Sequence, residues 1–307
     1  MRPHLALLCA VLVLAVQARP AIAQDKGTLE PVQLPPLAHP EDPSTPAKQL
    51  FGRQLVPAAL AARTIGFYSR GCLAGGRALA VNGPAWQVMR LSRNRNWGHP
   101  ELIAFLERFA RKVPQVSNWQ GILVGDLSQP RGGPMLTGHA SHQIGLDADI
   151  WLTPMPGREL SRIEREEMSA VNMVSADRRD IDPAKWTPDH MAVIRAAASD
   201  PAVQRIFVNA AIKKALCRES KGDSAWLRRV RPYYGHDYHF HVRLACPPGE
   251  DACRDQDPVP AGDGCDASLA WWFSDAILHP KPGPFKPRPP LTMAQLPPEC
   301  GKVLTAR

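Results

Sequence analysis

The apolar positions of this chain change period several times, and each change marks an element. Pro100 to Lys112 opens on proline and repeats apolar side chains at Leu102, Ile103, Leu106 and Phe109, the spacing of one helix face. Gly121 to Leu127 (GILVGDL) is a short apolar run that predicts a buried strand, and Arg131-Gly132-Gly133-Pro134 predicts a turn. Residues 145–152 (GLDADIWL) alternate and predict a second strand. Ser161 to Met173 predicts a helix opened by a capping box, with Glu164 reaching back to Ser161. Thr187 to Ala198 and Pro201 to Leu216 predict two more helices, and residues 237–244 (DYHFHVRL) alternate as a further strand. Helices in blocks with isolated strands between them predict an α+β fold with a mainly antiparallel sheet.

The first 23 residues follow another pattern. A short basic start at Arg2 leads into an apolar run from Leu5 to Val16, and Ala21-Ile22-Ala23 gives a small-x-small cleavage signal before Gln24. The run is far short of the ~20 residues needed to span a bilayer. It predicts a signal peptide over 1–23 and export to the periplasm, with no stable membrane insertion after cleavage. Proline, 32 of 307 residues, concentrates at the two ends. Residues 24–60 are expected as an extended lead-in, 61–275 as one domain, and 276–307 as a proline-rich tail that a disulfide at Cys300 would tie back.

Composition narrows the function classes. The chain is 44% hydrophobic and 21% charged, which excludes wholesale disorder. The signal segment carries Arg2 and Arg19 and no acidic residue, so its removal lowers the net charge from +8 to +6. The basic residues are scattered and form no nucleic-acid module, so an acidic polymer outside the cytoplasm is the expected partner. Cys9 leaves with the signal. The six remaining cysteines, an even number in an exported chain without a CxxC pair, predict three disulfides of open connectivity.

Five histidines fall in two short segments, Gly138-His139-Ala140-Ser141-His142-Gln143 and Gly235-His236-Asp237-Tyr238-His239-Phe240-His241. In the later segment Tyr238, Phe240, Val242 and Leu244 share one strand face, and His239, His241 and Arg243 share the other. In the earlier one Leu146, Ala148 and Ile150 oppose Asp147 and Asp149, and Gly145 permits a bend after His142. Converged, His142, Asp149 and an imidazole of the later strand are a three-ligand set with an open position, as catalytic zinc requires. Without HExxH the helix-borne zinc peptidase is excluded, and Ser141 lacks a GxSxG context.

These residues resemble the LAS zinc metallopeptidases, a group that includes lysostaphin-type enzymes, D-Ala-D-Ala carboxypeptidases and the hedgehog domain. Asn96-Trp97-Gly98-His99-Pro100, Gly138 to Gln143 with Gly145-Leu146-Asp147, Arg205-Ile206-Phe207-Val208-Asn209 and His239 to Leu244 are most similar to the penicillin-insensitive murein endopeptidases. The resemblance runs from about Gly66 to Cys300. It implies a LAS-type core and an exported enzyme that cuts D-alanyl–meso-diaminopimelyl cross-links of peptidoglycan, insensitive to β-lactams because no serine is acylated. By position it implies zinc on His142, Asp149 and His241, His239 as general base and His236 as stabiliser of the tetrahedral intermediate. It also implies His139 at a metal and a second ion near Asp177 and Asp180, where this chain has aspartate in place of the family's histidine at Asp180; a charged surface turn explains that pair equally. The implied disulfides are Cys72–Cys300, Cys217–Cys265 and Cys246–Cys253. Asp147 would orient a ligand, and Trp97, Trp151 and Arg243 are groove candidates. Two alternatives keep the metal: a D,D-carboxypeptidase or dipeptidase, and a non-catalytic wall-binding zinc domain. The sequence leaves the oligomeric state open.

Overall fold

The two alternating segments lie side by side in the middle of a seven-stranded sheet. The computed structural model describes residues 26–31, 33–281, 283 and 289–307. The expected signal segment and part of the proline-rich tail lie outside the described residues. The sheet strands are β1 (Asn82–Gly83), β2 (Trp86–Val88), β3 (Ile122–Val124), β4 (Asp147–Trp151), β5 (Val203–Val208), β6 (Val230–Pro232) and β7 (His239–Leu244). Their order across the sheet is β6-β5-β7-β4-β3-β2-β1. Neighbours pair antiparallel except β5 with β6 and β2 with β3. The molecule is therefore α+β with a mainly antiparallel sheet.

One face of the sheet is the core. Ala148, Ile150, Phe240 and Val242 are fully buried there. Three helices belong to this framework: α1 (Pro100–Val116), α2 (Pro188–Ala198) and α3 (Ala210–Glu219). Helix α1 forms because Pro100 follows a His99 cap, whose Nδ1 accepts from Glu101 N, and because its apolar stripe finds the sheet. It buries Leu102, Ile103, Phe105, Leu106, Phe109, Ala110 and Val113, and Phe109 meets Phe240 edge to face at 6.4 Å. Each large apolar side chain so buried stabilises the fold by roughly 1.5–3 kcal/mol.

Two predicted helices differ from the structure. Pro201–Leu216 is not one helix. Val203, Ile206 and Val208, rich in β-branched side chains, form strand β5, and Asn209 then caps α3 by accepting from Ala211 N. The helix expected over Ser161–Met173 spans only Arg162–Glu167, although the capping box with Ser161 and Glu164 is present. The Arg165 guanidinium turns inward to the carbonyls of Leu160 and Val88, tying this short helix to β2. Ala170 and Met173 then pack into separate apolar clusters from irregular chain.

Both proline-rich ends reach a second, smaller core. Ala47 and Phe51 from a short helix, Ala58, and Leu296, Cys300 and Val303 from the C-terminus pack around the hairpin of Arg63–Phe67 and Arg70–Ala74. Disulfides join Cys72 to Cys300, Cys217 to Cys265 and Cys246 to Cys253.

Candidate metal centre

Strand register creates the site. Antiparallel pairing of β7 with β4 sets His241 opposite Asp149 and Arg243 opposite Asp147, all on the face away from the helices. That face is not open to solvent. His239, His241 and Arg243 are nearly as buried as the core: the rings of His142 and His236 lie against the two histidines, and Arg243 lies against the rings of Tyr68 and Phe207.

Asp149 is the centre. Its Oδ1 lies 3.1 Å from His241 Nδ1, 3.4 Å from His142 Nε2 and 3.6 Å from His239 Nε2, and its Oδ2 lies 3.5 Å from His139 Nε2. Burial works against the Asp149 carboxylate, but His239, His142 and His139 hold it well below the usual range. Ligand atoms of His139, His142 and Asp149 all lie within 4.8 Å of one another. Four of the six residues expected at a metal thus share one place.

Asp147 organises the set. Both its oxygens bind the Arg243 guanidinium, at 2.8 and 3.1 Å, and Oδ2 accepts from His142 N at 2.9 Å. Its Oδ1 is also 3.1 Å from His241 Nε2, an ion-pair distance without hydrogen-bond alignment. Gly145 makes the bend that delivers His142. Its φ is +73°, and a Cβ there would stand 2.9 Å from His99 N. His142 itself has φ +65°, a left-handed conformation that costs a non-glycine residue about 1 kcal/mol or more and clusters at functional sites.

His236 sits at the rim with φ +56°. Its Nδ1–H donates to the Tyr234 carbonyl at 2.8 Å. Burial, with His239 and His241 nearby, pulls its pKa down to about 3. The ring is then neutral and its Nε2 is an acceptor, so it donates to an oxyanion only when doubly protonated. Burial also lowers the pKa of His239 against the pull of Asp149, which leaves a neutral imidazole able to take a proton. For His241 burial is outweighed by Asp147 and Asp149, which raise its pKa.

Asp177 and Asp180 stand outside the His139–His142–Asp149 cluster. Asp177 accepts from Ser175 Oγ and Arg179 N, and Asp180 pairs with Arg218 at 2.8 Å and Lys214 at 3.1 Å. Of the groove candidates, Trp151 lines a cavity of about 170 Å³ with His139, Asp149 and His239. Trp97 is tied to Asn94 Oδ1, and Arg243 is spent on Asp147.

Sequence reasoning missed Asp126. Its Oδ2 receives Arg93 at 3.0 Å, Arg95 at 2.9 Å and His139 Nε2 at 3.0 Å, and it fixes the ring of His139 beside Asp149. A carboxylate one glycine beyond the apolar run Ile122–Val124 was the available signal.

The donor set fits a metal ion. His142 Nε2 and Asp149 Oδ1, which face each other at 3.4 Å, are both buried without a hydrogen-bond partner. Each such atom costs roughly 1–3 kcal/mol unless something binds it. Imidazole and carboxylate without thiolate suit a catalytic zinc.

The sequence profile of the penicillin-insensitive murein endopeptidases matches residues 64–305. The penicillin-insensitive murein endopeptidase of Haemophilus influenzae is 43% identical over 250 residues, 80% of this chain and 83% of its own length. Those of Klebsiella pneumoniae and Escherichia coli are each 42% identical, over 251 and 248 residues, covering 81% of this chain and 88% of their own lengths. The chain belongs to the penicillin-insensitive murein endopeptidase family.

Proposed function

We propose that the chain is an exported, zinc-dependent endopeptidase that hydrolyses D-alanyl–meso-diaminopimelyl cross-links of peptidoglycan. The observation that carries this reading is the convergence of His142, His241 and His239 on the Asp149 carboxylate, with His142 Nε2 and Asp149 Oδ1 buried and without a hydrogen-bond partner. Family membership supports the murein substrate and the peptide-bond chemistry. The apolar segment before Ala23 supports export, with 24–60 as lead-in, 61–275 as catalytic domain and 276–307 as tail.

His142, Asp149 and His241 would hold the ion, with His139 beside them. Zinc bound there supplies a Lewis acid that polarises the scissile carbonyl and brings the pKa of a water toward about 7. His239 accepts the proton of the attacking water and delivers it to the leaving amine. His236, as imidazolium, donates to the developing oxyanion, whose negative charge favours the doubly protonated ring. Asp147, itself held by Arg243, positions His142 through its backbone N–H and stands directly beside the His241 ring. Since Arg218 and Lys214 already neutralise Asp180, the reading needs only the one catalytic ion.

Purified cross-linked muropeptide dimers incubated with the zinc-loaded chain and followed by mass spectrometry test it. Conversion to monomers that stops with chelator and resumes with zinc is expected. Loss of only a terminal alanine would move the reading to a carboxypeptidase.

A further inference from the structure

Strongly exposed aromatic rings occur in one place among the described residues. Tyr233, Tyr234 and Trp271 are 52%, 54% and 52% exposed, and no other described Phe, Tyr or Trp is as open. All three belong to a continuous row. Tyr233 meets Tyr234 edge to face at 5.9 Å, Tyr234 meets Trp272 at 4.9 Å, and Trp272 meets Trp271 at 5.2 Å. At the inner end Tyr233 lies 5.8 Å from the His236 ring, which lies 4.9 Å from His239. The row therefore runs from the candidate base outward to solvent.

Its two halves come from distant parts of the chain and are held together by design of the fold. Tyr233 and Tyr234 leave the end of β6, with Tyr233 N donating to Val208 O. Trp271 and Trp272 follow the short helix Ala267–Ala270, capped by Asp266. Next to that cap, Cys265 is bonded to Cys217 of α3. Buried Leu269 and Leu278 anchor the segment on either side of the tryptophans. Scattered exposed rings need no explanation, but a contiguous apolar patch marks an interaction site.

We propose that this row is a saccharide platform that seats the glycan strand of peptidoglycan while the attached peptide enters the His239 site. The proposal rests on the murein reading above and adds the sugar to it. A pyranose offers a flat C–H face to an aromatic ring and keeps its hydroxyls in water at the edges. Tyrosine and tryptophan give that contact with large rigid area and few rotors to freeze. Continuity with the catalytic face decides the occupant, because every stem peptide of this polymer hangs from a sugar and an extended four-residue stem keeps that sugar within about 14 Å of the bond being cut.

Two titrations test it. Peptide-free glycan strands are added to the metal-stripped full chain and followed by isothermal titration calorimetry, beside a Tyr234→Ala/Trp271→Ala variant and a Tyr234→Phe/Trp271→Phe variant. Wild type and the phenylalanine variant are expected to bind saturably, and the alanine variant about tenfold or more weakly. Hydrolysis of cross-linked peptide dimers with and without their disaccharides is then compared. The sugar is expected to lower KM for wild type, and the alanine variant to lose that difference at preserved kcat. Failure of wild type to bind peptide-free glycan, or equal binding by the alanine variant, overturns the proposal. Self-association that only the alanine variant loses, without glycan binding, also overturns it and assigns the patch to contact between copies. Absence of hydrolysis on both substrates would overturn the endopeptidase reading alone, because the glycan titration needs no turnover.

Discussion

Replacing Asp147 by alanine tests how the site is built. Asp147 is fully buried and carries three contacts: the Arg243 guanidinium on both oxygens, His142 N, and the nearby His241 ring. Removing its carboxylate leaves Arg243 as an uncompensated cation that is only 6% exposed. Breaking a buried pair from one side costs about 3–5 kcal/mol. In a domain of this size 1 kcal/mol moves Tm by ~2–4 °C, so Asp147→Ala should lower the Tm of metal-free protein by roughly 6–20 °C. Asp147→Asn keeps an acceptor for His142 N and loses the charge, so its Tm should fall less while zinc affinity drops ~10–100-fold. Adding Arg243→Met to Asp147→Ala removes the stranded cation and should recover part of the loss. Thermal unfolding by circular dichroism and zinc titration against a competing chelator measure both effects. An Asp147→Ala protein that melts within ~2 °C of wild type would refute the argument.

Other expectations follow from the same structure. Asp126→Ala leaves Arg93, Arg95 and His139 without their shared buried acceptor, so Tm should fall and zinc bind ~10–100-fold more weakly; unchanged zinc affinity would separate His139 from the metal. Gly145→Ala must place a Cβ against His99 N at positive φ, and it should destabilise by at least ~1 kcal/mol and weaken zinc, as denaturant unfolding and the same titration would show. Removing Cys72–Cys300, which spans 228 residues, should cost ~2–5 kcal/mol, read from unfolding of a Cys72→Ala/Cys300→Ala variant. Lys213, donating to the carbonyls of Leu227 and Asp263, is drawn down from 10.5 to about 7, first by burial and then by Arg231. Between those values the unfolded chain holds a proton that the folded chain has released, so this group makes stability rise with pH across that window. Lys213→Met should remove the rise in urea unfolding; a variant whose stability still climbs equally would contradict the assignment.

Alternation made the two central strands readable, along with the face each histidine occupies, because a strand with one face on helices must alternate. It could not show that His241 pairs with Asp149 in place of Asp147, since register is set by tertiary pairing. Nor did it show that the polar face would be buried, which depends on loops folding over it. The segment Pro201–Leu216 was misread because its apolar residues also satisfy a helical spacing. Asn209, a strong N-cap in its middle, was the overlooked helix-start signal. Asp126 escaped notice because its partners Arg93, Arg95 and His139 lie far from it along the chain, and no local pattern joins them. The hairpin of Arg63–Phe67 and Arg70–Ala74 was hidden for a similar reason: its apolar side chains pack on both ends of the chain at once.

The central claim is that His142, Asp149 and His241 hold zinc while His239 moves the proton. The measurement that tests it most directly is zinc content and muropeptide turnover of the same His239→Ala preparation. The account predicts one zinc per chain, as in wild type, with turnover reduced about a hundredfold or more. Turnover close to wild type would remove His239 as the base, and loss of the zinc would make it a ligand, contradicting the assignment.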